Sequence, residues 1–66
     1  MQNRVKQHRM AKGLSQIELA RKVNLTRQTI SLLEAQNYNP SLKVCLAIAT
    51  ALTSNLDTLF NPKYFH

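Results

Sequence analysis

Two short amphipathic patterns stand back to back in residues 15–34, SQIELARKVNLTRQTISLLE, and this spacing constrains the fold more than any other feature. The three or four residues between them are too few for separate elements, and the whole is too long for one uninterrupted helix. Ser15 followed by Glu18 is a capping box, in which each side chain satisfies a backbone donor at a helix start. An apolar stripe then runs through Leu19, Ala20 and Val23. Asn24-Leu25 interrupts it, and Thr26, a good N-cap, opens a second run. There Ile30 and Leu33 recur at helical spacing while Arg27, Gln28, Thr29 and Ser31 stay polar. The stretch reads as a helix, a turn and a second helix with a hydrogen-bonding face.

The rest of the chain supplies three more helical patterns. Residues 3–12 form the first, with Val5, His8 and Arg9 on one face, Lys6 and Lys12 outside it, and Gly13 as its stop. His8 reads as a partly buried, hydrogen-bonded histidine rather than a ligand. Arg9 is a candidate ion-pair partner for Glu34, which would tie the first helix to the end of the third. A loop rich in amide side chains follows Glu34 and closes at Pro40. Ser41 caps the next helix, over residues 42–52, whose expected core seam is Leu42, Cys45, Ala49 and Leu52 with Leu46 and Ile48 at the sides. Val44, Ala47 and Ala51 then form a second stripe with Ile48, read either as a self-association surface or as exposed small helix formers. Asn55 caps a final short helix, Asp57 suits its positive first turn, and Leu56, Leu59 and Phe60 give its apolar face before Pro62. The tail, residues 61–66, carries Tyr64 and Phe65, aromatics that call for a packing partner on this subunit or a second one.

Size and charge narrow the function. A chain of 66 residues is one domain, residues 1–66, with little room for an enclosed catalytic cleft. Nine Lys and Arg against three acids give a net charge of +6, and two of those acids, Glu18 and Glu34, have structural roles. The remaining surface is basic and suits a polyanion. The single cysteine, Cys45, excludes an intramolecular disulfide framework and reads as a small buried apolar residue; no metal-ligand spacing is present. No apolar run approaches the roughly 18 residues of a membrane span, and the N-terminal MQNRVKQHR lacks the apolar core of a signal peptide. A cytoplasmic protein that binds no membrane and needs no cofactor is expected. No clustered nucleophile and base, and no glycine-rich phosphate loop, point to an enzyme or a small-molecule ligand.

LSQIELARKVNLTRQTISLLE, followed by NPSL and LDTLF, resembles the Cro and lambda-repressor-like (XRE-type) helix-turn-helix regulators, especially the short stand-alone members from bacteria and phages. The resemblance runs from about Arg4 to Phe60 and joins Ser15-Gln16, Leu19-Ala20, Arg27-Gln28-Thr29-Ile30, Glu34 and Asn39-Pro40-Ser41-Leu42 at the family's spacing. It implies an all-α fold of five helices with the helix-turn-helix at helices 2 and 3. It also implies binding to double-stranded DNA as a homodimer, and transcriptional control, usually repression. The chain departs from the pattern at Asn24, Gln36 and Thr53, where glycine is common, and at His8, where leucine is. Gln36 either carries backbone strain or passes the left-handed role to Asn37.

In the geometry this resemblance implies, the second motif helix lies in the major groove with its N-terminal residues at the base edges. Arg27, Gln28, Thr29 and Ser31 are then the reading set, Leu32 is placed to touch thymine methyl groups, and Asn39 approaches a base from the loop. Gln28 is the foremost base reader because its amide matches adenine N6/N7, while Arg27 either reads guanine or grips a phosphate. Gln16, Thr26, Asn37 and Tyr38 are the phosphate candidates, with Lys6, Lys12 and Lys43 as more distant helpers. One reading helix covers about 4 or 5 base pairs, so an inverted-repeat operator and two copies of the chain are expected. Leu56, Leu59, Phe60, Tyr64 and Phe65 are the candidate dimer contacts, and the segment of residues 2–4 is a candidate strand partner for residues 62–65. Two rival readings use the same fold: a protein–protein interaction module, which would call for an apolar third helix, and an antitoxin component, which is compatible with DNA binding.

Overall fold

The computed structural model describes residues 3–60. Five helices follow one another: α1 (Val5–Ala11), α2 (Gln16–Lys22), α3 (Arg27–Glu34), α4 (Leu42–Ala51) and α5 (Leu56–Phe60); no strand occurs among the described residues. Each of the last four starts is closed by the side chain expected there. Ser15 Oγ accepts the Glu18 N–H at 3.1 Å while Glu18 Oε1 accepts the Ser15 N–H at 2.9 Å, completing the capping box. Those bonds, from the backbone and then the side chain of Ser15, hold the Glu18 carboxyl below its ordinary value near 4.5. Thr26 Oγ1 takes the Thr29 N–H at 3.1 Å, Ser41 Oγ the Val44 N–H at 3.2 Å and Asn55 Oδ1 the Thr58 N–H at 2.8 Å. Helix α1 begins two residues later than its pattern predicts. Asn3 Oδ1 accepts the Val5 N–H at 3.0 Å, a local turn that holds the chain out of the helix until Val5.

The first four helices also end alike. The second residue beyond each is left-handed: Gly13 (φ 70°), Asn24 (57°), Gln36 (67°) and Thr53 (52°). At α1 the Gly13 N–H turns back to Met10 O and the Leu14 N–H to Arg9 O, and the same two-bond closure recurs after α2, α3 and α4. Gln36 thus carries the left-handed role itself and does not hand it to Asn37. Only the first closure uses glycine, and the β-branched Thr53 is the poorest fit to this conformation. Thr53→Gly is expected to relieve roughly 1–2 kcal/mol of strain, against about 0.4–1 kcal/mol from glycine's freer unfolded chain. A thermal melt should therefore rise by a few degrees, about 4–8 °C for each net kcal/mol in a domain this small. A midpoint at or below the parent value would show that Thr53 is unstrained.

The core joins all five helices through Val5, Leu19, Ile30, Leu33, Ile48, Leu52 and Leu59, with Ala20, Cys45, Ala49 and Phe60 around them. Cys45 is buried as expected, and burial pushes its thiol above the ordinary value. The seam of α4 differs from the predicted one. Leu42 is 66% exposed and Leu46 49%, whereas Ile48, expected at the side, is fully buried. Of the anticipated second stripe, Ile48 is buried, Val44 and Ala51 pack against the core and Ala47 is half-buried, so the exposed apolar pair of α4 is Leu42 and Leu46. With apolar residues on nearly every position of α4, helical period alone does not select a face; the positions of α2 and α5 do. His8 is half-buried, but its ring has no hydrogen-bond partner among the described residues. No described helix is long and apolar enough to cross a membrane, and no group of His, Cys, Asp or Glu among the described residues is placed to hold a metal.

Candidate nucleic-acid interface

One buried network fixes α3 to the rest of the molecule. Arg9 on α1 donates from Nε to Glu34 Oε2 at 2.6 Å and from Nη2 to Oε1 at 3.1 Å, a two-pronged pair with the carboxylate at the end of α3. A third donor, Nη1, reaches the Leu14 carbonyl at 2.7 Å and so gathers the α1–α2 connector into the same knot. The expected ion pair is present, and it is richer than spacing revealed. Gln16, at the first position of α2, donates from Nε2 to Glu34 Oε1 at 3.1 Å. Glu34 therefore holds α1 and α2 against α3 directly, and the connector through Arg9, and every buried side-chain polar atom among the described residues has a hydrogen-bond partner.

That network turns one face of α3 outward. Ile30, Leu33 and Glu34 are buried, while Arg27, Gln28, Ser31 and Leu32, at positions i, i+1, i+4 and i+5, are exposed on the opposite side. Leu32 is 41% exposed, an apolar side chain at the edge of an otherwise polar face. Thr29 stands apart from the rest of the predicted reading set. It is half-buried, and its Oγ1 lies 2.9 Å from Thr26 Oγ1, so its hydroxyl serves the helix cap.

The phosphate candidates lie at the margins of this face. Thr26 caps α3 and is exposed; Asn37 and Asn39 are exposed in the loop after it. Tyr38 is half-buried and packs against the core, which anchors the middle of that loop. Gln16 is half-buried, and one proton of its amide goes to Glu34; the NH₂ group has a second. The electrostatics agree with the geometry. Arg4, Lys6, Lys12, Arg21, Lys22, Arg27 and Lys43 are exposed, while of the acids Glu34 is buried against Arg9, leaving Glu18 and Asp57 outside.

The dimer candidates divide. Leu59 and Phe60 are buried in this chain's own core, Leu56 is half-buried, and Tyr64 and Phe65 lie outside the described residues. Gln2 and residues 62–65, named for a small sheet, lie outside them too. Asn3 and Arg4, the described members of that segment, pair with no strand; the Arg4 backbone N–H donates to Leu59 O of α5 at 3.0 Å. Sequence reasoning missed Asn3, which is 6% exposed and bonded through its side chain to the end of α3. Its one local signal is an Asn two residues before a helix; the partner lies 30 residues away in sequence.

Helices α2 and α3, joined by a four-residue turn and braced by Glu34, define a helix-turn-helix protein of the Cro and lambda-repressor-like class. A family model described as Helix-turn-helix matches residues 5–59, and the chain belongs to this family of transcriptional regulators, which are not enzymes. It is 40% identical over 60 residues to an uncharacterized HTH-type transcriptional regulator of Archaeoglobus fulgidus, covering 91% of this chain and 86% of that protein. It is 43% identical over 49 residues to an immunity repressor protein of Bacillus phage phi105, covering 74% of this chain and 34% of the phage protein. Among solved structures, a chain of a SinR protein/SinI protein complex superposes with a TM-score of 0.83 at 32% identity, covering 92% of this chain; the match spans 60% of that chain's length. The similarity thus extends to archaea, beyond the bacteria and phages suggested by sequence resemblance.

Proposed function

We propose that this protein is a cytoplasmic repressor that binds an inverted-repeat operator in double-stranded DNA as a homodimer. The observation that carries the reading is the outward face of α3, where Arg27, Gln28, Ser31 and Leu32 stand together on a helix whose opposite side is locked into the core. Arg27 and Gln28 offer two-pronged donors and acceptors to base edges, and Leu32 offers an apolar surface to a thymine methyl. Thr29, committed to Thr26, acts on the base pairs mainly by holding the helix start. Asn39 reaches toward a base from the loop. Gln16, Thr26, Asn37 and Tyr38 take the flanking phosphates, Gln16 with the amide proton that Glu34 does not use. Repression is supported by the name of the phage relative, an immunity repressor protein.

Two copies are needed because one chain has one reading helix. The Cα trace of the described residues extends 29 Å along its longest axis, less than the roughly 34 Å between successive major-groove faces on one side of the duplex. Leu42 and Leu46, exposed on α4, and the half-buried Leu56 on α5 are the described apolar residues we assign to the subunit contact. Selection of bound duplexes from a random-sequence library tests both parts. The recovered sequences should share an inverted repeat with half-site centres about 10 base pairs apart. Recovered sequences with no common motif, or a single unrepeated half-site bound by a monomer in sedimentation, would overturn the proposal.

A further inference from the structure

Three non-glycine residues are left-handed, and among the described residues only Gln36 of the three has its side chain hydrogen-bonded into the fold. Its Oε1 accepts from Asn3 Nδ2 at 3.2 Å, and its Nε2 donates to Glu34 O at 3.2 Å and to Asn3 O at 3.4 Å. Asn3 is equally committed. Its Nδ2 also donates to Leu33 O at 3.0 Å, and its Oδ1 holds the Val5 N–H. The segment before α1 is itself fixed, since the Arg4 N–H is bonded to Leu59 O of α5. Two reciprocal amides, 33 residues apart, thus tie this anchored segment to the last turn of α3 and to the first left-handed residue beyond it.

The position is mechanically sensitive. A left-handed residue decides the direction in which the chain leaves a helix, and the three residues that follow Gln36 are Asn37, Tyr38 and Asn39. A glycine at 36 would adopt φ 67° without strain. The chain instead carries a strained residue whose side chain is in use, a combination that points from geometry to function. We propose that the Asn3–Gln36 amide pair is a positioning device for DNA binding: it aims Asn37 and Tyr38 at the sugar–phosphate backbone, with Asn39 beyond them toward a base, and so removes the cost of ordering that loop on contact. This inference rests on the reading of α3 and its loop as the DNA-binding surface. Its signature is a separation of stability from affinity, because glycine at 36 relieves strain while releasing the loop.

The test uses the full chain and the duplex that the unaltered protein selects from a random library, titrated at several salt concentrations. Gln36→Gly should melt at or above the parent temperature yet bind the selected duplex about 3–10-fold more weakly, with a salt dependence shallower by about one phosphate contact. Asn3→Ala should weaken binding by a similar factor, and the double variant should bind no more weakly than the weaker single, since both substitutions break one device. Gln36→Gly binding with the parent's affinity and salt slope would overturn the inference, as would losses that multiply in the double variant. If Asn3→Ala does not fold, Gln36→Gly alone decides the matter. Failure of the unaltered protein to select any duplex would overturn the DNA-binding reading itself and the inference with it; a parent that binds and a Gln36→Gly variant that binds equally well would overturn the inference only.

Discussion

Glu34→Ala is expected to lower folding stability by about 3–5 kcal/mol, the cost of stranding a buried partner charge. The Glu34 side chain is 3% exposed and that of Arg9 11%, so neither is well screened by water. Removing the carboxylate deprives the guanidinium of two bonds and Gln16 of its acceptor at one stroke. Against a total stability of roughly 3–10 kcal/mol for a domain of this length, the variant should be largely unfolded in moderate denaturant where the parent is folded. The size of the loss reflects the charge left behind more than the strength of the pair. A double variant, Arg9→Met with Glu34→Leu, removes both charges and should recover most of the lost stability, although the Leu14 carbonyl and the Gln16 amide lose partners. Chemical denaturation of the three proteins checks this: a Glu34→Ala variant within about 1 kcal/mol of the parent, the range of an exposed pair, would show that the network contributes little.

Gln28→Ala should leave folding intact, because the side chain is exposed, but should cost about 1–3 kcal/mol on the selected operator. The reason is geometric. An amide presents a donor and an acceptor at the spacing of adenine N6 and N7, and losing both leaves that edge unpaired. Affinity for unrelated duplexes should barely change, so the specificity ratio falls with the affinity. Equal losses on all sequences would move Gln28 from base reading to phosphate contact. The same comparison resolves the two roles open to Arg27: a loss confined to the operator marks a guanine reader, a uniform loss a phosphate grip.

Much of the architecture was legible because local chemistry dictates it. Ser15, Thr26, Ser41 and Asn55 each cap the helix that begins after them, and the stripe through Leu19 and Ala20 and that through Ile30 and Leu33 face inward as their spacing requires. At α4 the pattern is ambiguous because of a surfeit of apolar residues: a helix apolar on most sides has no single face until neighbours select one, and they select Ile48 over Leu42. The short α5 shows the same ambiguity, since an apolar face suits a dimer contact or a core equally well, and Leu59 and Phe60 went to the core. The outward face of α3 followed directly from its pattern, except at Thr29, whose hydroxyl turned to the neighbouring cap. The bonds from Gln16 to Glu34 and from Asn3 to Leu33 and Gln36 were not legible, because each links polar side chains whose proximity exists only after the helices have packed.

The central claim is that this surface reads sequence, beyond attracting a polyanion with its positive charge. The most direct measurement is the ratio of affinities for the selected inverted repeat and for a duplex of the same composition with both half-sites scrambled, followed as salt is raised. Electrostatic attraction weakens with salt for both duplexes, whereas base-edge contacts are kept. The ratio should be at least about 10³ and should persist across the series. Two duplexes bound alike at every salt concentration, both with a steep salt dependence, would contradict it.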